Sequence, residues 1–174
     1  RLSDAPGKPL SALTMEERRS LAHKAFQHVA LYDTAVSQYL SEDDRLSSDE
    51  MTIGYRRLEG LRYGENPHQR ASLYADPLSS GGIVRAERRH GPEMSFTNIL
   101  DADAAWRAVS DFSEPAVSLV KHATPCGLAV HPDQPVAYKR AYEGDAVSAY
   151  GGALGFNREL TAATAEAMGG VLYH

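Results

Sequence analysis

Cysteine is almost absent: Cys126 is the single one in 174 residues. An intrachain disulfide and a cysteine-rich metal site are thereby excluded, and a reducing, cytoplasmic setting is the expected one. No apolar run approaches the length of a membrane span, and the first residues lack the hydrophobic stretch of a signal peptide. An excess of positive charge is missing too. Lys and Arg total 18 against 23 Asp and Glu, a net charge of −5. Without a polybasic patch, neither nucleic acid nor an anionic membrane is an expected partner. There is no internal repeat and no low-complexity segment. What remains is enough chain for one domain of common size with a real core. Arg1 stands where a methionine would start a reading frame, and Gly169-Gly170-Val171-Leu172-Tyr173 reads as the approach to a new strand. We therefore expect a piece of a longer protein.

The most informative stretch is Val120-Lys121-His122-Ala123-Thr124-Pro125-Cys126-Gly127. Ala116 to Val120 before it is short, apolar and rich in β-branched residues, the pattern of a buried strand. Pro125 and Gly127 after it are expected to end that strand in a loop. A Lys and a His thus stand where a buried strand runs out. In open α/β sheets ligands sit outside such strand ends. Lysine offers a fixed positive charge and histidine can exchange a proton near neutral pH, which suits a reaction in which an amine loses a proton as an oxyanion forms. Taken alone, a Lys-His pair at a strand end is more often a solvated terminus. Neighbouring strand residues also point to opposite faces, so both reach one ligand only if the strand has broken at His122.

Elsewhere the chain alternates helix and strand signals. Residues 1–13 read as a loop. Thr14 and Glu17 have capping-box spacing, and apolar residues from Leu21 to Leu40 recur every three or four positions, which predicts one long amphipathic helix. Its His23 and His28 receive no role. The acidic run 41–50 reads as a linker and domain boundary. Alternation over Met51–Tyr55 and the run Ala71–Tyr74 predict strands. Between them lies the loop Leu61-Arg62-Tyr63-Gly64-Glu65-Asn66-Pro67-His68-Gln69. In it Arg62 is a bidentate donor suited to phosphate, and Tyr63 could stack on a base or hydrogen-bond to a ligand. An ordinary surface turn is the competing account. Arg85, Arg88 and Arg89 are interleaved with Glu87 and Glu93, which favours a solvated face. A helix is expected from an Asn98 cap to about Phe112, with Asp101 and Asp103 in its first turn and Ile99, Leu100, Trp106 and Val109 facing a core. Asp133, Pro135 and Gly144 bracket a short helix. The Gly151-Gly152 turn, where the backbone can approach a ligand, leads to a strand over Ala153–Phe156 and a helix from Thr161 to Met168. The alternation predicts an α/β fold with a mixed or parallel sheet.

Four blocks, Leu61 to Gln69, Ser95 to Trp106, Val120 to Gly127 and Ala141 to Glu159, occur in an order that resembles the bifunctional purine-biosynthesis family joining AICAR (aminoimidazole carboxamide ribonucleotide) transformylase to IMP cyclohydrolase. The resemblance covers roughly residues 15–174. It implies that residues 1–50 hold the last helix and linker of a cyclohydrolase domain. Residues 51–174 would open a transformylase domain, a layered α/β/α fold similar to cytidine deaminase. It implies transfer of a formyl group from formyl-tetrahydrofolate, as co-substrate, to the amine of AICAR, with no metal, in a homodimer. His122 would be the base or proton shuttle and Lys121 the transition-state stabiliser. Arg62, Tyr63 and Gly151 match positions that hold the nucleotide, and Asn98 is a further candidate. The remaining nucleotide and folate contacts would lie beyond residue 174. Thr124 departs from the pattern: the family usually has Asn there, and Thr is shorter and branched.

Two other classes compete. Pro125-Cys126 imitates half of the zinc-deaminase signature, but Ala129 stands where the second cysteine would be. A nucleotide-binding or dimerisation module without chemistry is the third.

Overall fold

The computed structural model describes residues 13–41 and 49–173. Residues 1–12 of the expected loop and 42–48 of the acidic linker lie outside these residues. The chain forms two compact units. One comprises Arg1–Arg56 with Ala75–Ser79, the other Arg57–Tyr74 with Ser80–His174.

The first unit is built on α1, Met15–Leu40. Thr14 accepts from the Glu17 amide at 3.2 Å, and Glu17 accepts from the Thr14 amide at 2.8 Å. The expected capping box is therefore formed, and two orphan donors of the first turn are satisfied. None of the 26 helical residues is buried, and Phe26, Tyr32 and Tyr39 of the apolar stripe are exposed. The strand expected at Met51–Tyr55 is not formed. Regular pairing begins at β1, Arg56–Gly60, which pairs with β2, Ser72–Ala75, in a two-stranded sheet whose residues 57–74 belong to the second unit.

The second unit is organised around β3, Ala116–Lys121, whose first five residues are all buried. β3 is the centre of a three-stranded sheet, with β4, Thr124–Val130, on one side and β5, Ala153–Phe156, on the other. Both pairings are antiparallel. This corrects the expectation of a mixed or parallel sheet. Among the described residues, the parallel contact of this unit is the isolated bridge between Gly152 and Tyr173. It also corrects the loop expected at Pro125 and Gly127, which lie inside β4. Pro125 is tolerated because β4 is an edge strand and the register slips beside it, the two settings in which strand proline occurs.

Helices cover both faces of the sheet. Val117 and Leu119 point to α3, Gln134–Gly144, and pack with Ala137, Tyr138 and Ala141. Val120 points the other way, to Ala105 of α2, Phe96–Ser110, and to Ala153 of β5. Each such side chain contributes about 1.5–3 kcal/mol on burial. Ser118 is fully buried toward α2, and its hydroxyl donates to the Ala105 carbonyl at 2.8 Å, so no polar atom is stranded there. A short α4, Ala162–Ala167, closes the unit.

α2 differs from expectation in two respects. Its N-cap is Ser95, not Asn98. Asn98 occupies the third helical position, where its amide accepts from Asn98's own partner, the Ser95 main-chain N–H, at 3.0 Å. Asp101 and Asp103 consequently lie beyond the first turn. The buried face is Asn98, Asp101, Ala105 and Val109, whereas Leu100 and Trp106 are exposed. Polar side chains with hydrogen-bond partners displaced two large apolar ones from the core-facing stripe.

Candidate functional site

β3 and β4 are joined by two residues, His122 and Ala123, with φ of 54° and 57°. A two-residue hairpin loop with positive φ at both positions matches the twist of its strands, and asparagine and glycine usually supply it. Here both residues carry a Cβ, at a cost of about 1–2 kcal/mol each. Strain of this kind persists only where the surroundings hold it in place. The holding group is Asp101: the Ala123 amide donates to its Oδ1 at 2.7 Å. His122 has left the strand, so the opposite-faces objection falls away. Lys121 remains the last strand residue, and its Nζ donates to the Tyr150 carbonyl at 2.8 Å.

Lys121 and His122 line one cleft with Thr124, Pro125, Cys126, Asp145 and Ser148. Asp145 accepts from the Ser148 amide at 3.0 Å, and hydrogen bonding from Ser148 holds its carboxyl below the usual range. Cys126 is the extra residue of the slip in register, since Leu119 faces Gly127 while Val120 faces Pro125. Burial first, and then the Asp145 charge, push its thiol up, against a smaller pull from Lys121. Thr124 opens β4 and is exposed.

Arg62 and Asn98 line a second cleft of about 320 Å³, with Arg88, His90, Leu172 and Tyr173 among its walls. Two main-chain bonds fix its geometry: Arg62 N–H to the Met94 carbonyl and Phe96 N–H to the Tyr63 carbonyl, each 3.0 Å. The Arg62 guanidinium donates to the Tyr63 hydroxyl at 2.9 Å and stands 4.8 Å from the centre of its ring. Tyr63 therefore braces Arg62. Gly151, at φ 75°, joins the two clefts through the main chain. Its neighbour Tyr150 holds Lys121, and its own N–H donates to the Leu172 carbonyl at 2.8 Å.

The family model described as the AICARFT/IMPCHase bienzyme matches residues 7–173. The chain belongs to that family. The bifunctional purine biosynthesis protein of Dictyostelium discoideum is 47% identical, over 94% of this chain and 34% of its own length. That of Bacillus cereus (strain G9842) is 48% identical, over 87% of this chain and 30% of its own length. The chain thus spans about a third of the length of these relatives.

In this AICARFT/IMPCHase family member, the contacts that hold Lys121 and His122 are not visible in the local sequence. Asp101, expected in the first turn of its helix, lies instead on the buried face of α2. A signal was available, because Asp101 falls three residues after Asn98 and four before Ala105, on one helical face. Asp145 and Ser148 stand in the loop that leads to Gly151-Gly152, and local sequence assigns them no role of their own. Among the described residues no three His, Cys, Asp or Glu side chains form a group that could hold a metal, which leaves the zinc-deaminase reading without a ligand set. No helix among them is long and apolar enough to cross a membrane.

Proposed function

We propose that this chain supplies the proton-handling and part of the nucleotide-holding residues for formyl transfer from formyl-tetrahydrofolate to the amine of AICAR. In the whole protein, cyclisation to IMP would follow. The observation that carries the reading is the strained His122 turn, tied to α2 and flanked by an anchored lysine. The amine nitrogen bonds to the formyl carbon, and the bond from that carbon to the folate nitrogen breaks. The amine is a poor nucleophile, since its lone pair is delocalised toward the carboxamide. His122 accepts its proton as the new bond forms and returns a proton to the departing folate nitrogen. Lys121 carries its positive charge beside the oxygen on which negative charge develops. Arg62, braced by Tyr63, takes the nucleotide phosphate as a planar fork. Asn98 borders the same space, and Gly151 adjoins it through its N–H bond to the Leu172 carbonyl.

The division of the chain at Arg56 supports reading the first 50 residues as the end of a cyclohydrolase domain and the rest as the opening of a transformylase domain. Helices on both faces of the central sheet support the cytidine deaminase-like layering for the latter. A cytoplasmic homodimer completes the proposal. The test is His122→Ala in the full reading frame. Turnover should fall by about two to four orders of magnitude, the usual contribution of a general base, while nucleotide affinity changes far less. Turnover near wild type would overturn the assignment.

A further inference from the structure

We propose that Asp101 is a positioning residue: by holding the Ala123 amide it keeps the turn in its left-handed form and so sets where the His122 imidazole stands. The inference rests on the reading of His122 given above. Asp101 is only 4% exposed. Among the described residues it has no ion-pair partner, and its carboxylate makes one hydrogen bond, the 2.7 Å contact to Ala123. Burying a carboxylate without a counter-charge is unfavourable, and a neutral residue of similar size would fill the space. A glycine at Ala123 would relieve the turn without any helper. The chain instead keeps two non-glycine residues at positive φ and aims a buried charge at the exposed side of the turn. A charge-assisted bond is the strong kind, suited to pinning a backbone that would otherwise relax.

The placement along α2 gives the bond its purpose. Asn98 lines the Arg62 cleft, and Asp101 lies three residues on along the same buried face. That is about 4.5 Å of helix rise. The start of α2 is pinned by the Ser95–Asn98 capping box and by Phe96 N–H on the Tyr63 carbonyl. One rigid helix therefore spaces the Arg62 cleft from the His122 turn.

The experiment compares Asp101→Ala, Asp101→Asn and His122→Ala in the full reading frame. Asp101→Ala should lower kcat roughly 10- to 100-fold, the order of loss from a misplaced catalytic group, with the nucleotide KM nearly unchanged. Asp101→Asn keeps an acceptor oxygen in place but loses the charge, and should recover part of the loss. If Asp101→Ala does not fold, adding Ala123→Gly removes the need for the clamp, and the double variant should fold with most of kcat restored and KM unchanged. Full turnover in Asp101→Ala, or a folded double variant whose kcat is still roughly 10- to 100-fold down, with His122→Ala inactive, would overturn the positioning role and leave His122 standing. Full turnover in both Asp101→Ala and His122→Ala would overturn the underlying reading. An Asn variant as slow as the Ala variant would also overturn the proposal, since the acceptor geometry would then not be what matters.

Discussion

Lys121 Nζ and the Tyr150 carbonyl are joined by a 2.8 Å hydrogen bond that spans 29 positions of chain. The side chain at the end of β3 thereby fastens the segment that carries Gly151 and Gly152. Those glycine amides donate to the Leu172 and Ala149 carbonyls at 2.8 Å and 3.1 Å. The lysine thus has a mechanical part as well as a charge.

The first prediction separates those parts. Lys121→Met keeps most of the stem and removes the donor. Amide exchange at Gly151 and Gly152 should accelerate, because local opening is governed by the bonds that close the segment. Turnover should fall with it. Unchanged exchange alongside lost turnover would leave the charge as the whole of the lysine's contribution.

The second prediction concerns Arg62. The guanidinium is exposed and is braced by Tyr63 from one side. Lysine cannot reproduce its planar fork. Arg62→Lys should cost roughly 1–3 kcal/mol of nucleotide affinity, the worth of one charge-assisted contact. The melting temperature should hold, since an exposed charge contributes little to stability. Tyr63→Phe keeps the ring and loses the hydroxyl, so it should weaken binding less. Calorimetric titration of AICAR with melts on each protein decides: equal affinities make Arg62 an ordinary turn residue.

How far the fold was legible differs from element to element, for physical reasons. α1, β3 and β5 announce themselves through local signals: a capping box, a β-branched apolar run, a glycine-flanked strand. β4 did not, because Pro125 and Gly127 are breakers by propensity and acceptable only in an edge strand beside a slipped register. The hairpin was hidden for a related reason: His122-Ala123 lacks the asparagine-glycine signature of its turn. With the hairpin unseen, alternating strands and helices read as a mixed or parallel sheet. On α2, hydropathy pointed to Leu100 and Trp106, whereas Asn98 and Asp101 are buried because each meets a specific partner. The candidate residues Lys121 and His122 are visible as types, but the geometry that unites them is not.

Gly127 supports the third prediction. A Cβ there would run into the main-chain carbonyl of Ala141 in α3, a rigid neighbour that cannot step aside. Gly127→Ala should therefore cost about 3 kcal/mol or more, the upper end of overpacking effects. Gly151 offers a contrast. A Cβ there meets nothing within 4 Å, and only the positive φ penalises it. Gly151→Ala should cost about 1–2 kcal/mol. Denaturant titration of both variants tests the ranking. A neutral Gly127→Ala would mean that α3 does not seat directly on β4.

The fourth prediction uses Cys126, whose solitude makes it a clean probe. An ordinary free thiol titrates near about 8.5. Burial and the Asp145 charge both disfavour the thiolate of Cys126 and push its pKa up. The folded thiol thus keeps its proton to higher pH than the unfolded one. Its contribution to stability is full below about 8.5 and is lost as pH rises through the folded value. Only the thiolate reacts with iodoacetamide, so alkylation near neutral pH should be slower than for an unstructured cysteine peptide, with its midpoint shifted upward. Asp145→Asn removes a negative neighbour and should lower that midpoint. Lys121→Met removes a positive one and should raise it. The two variants must move in opposite directions, with melts confirming that both remain folded. A midpoint unmoved by Asp145→Asn would mean that the carboxylate does not act on the thiol, and that the cleft holding Lys121 and His122 is more open to solvent than its geometry indicates.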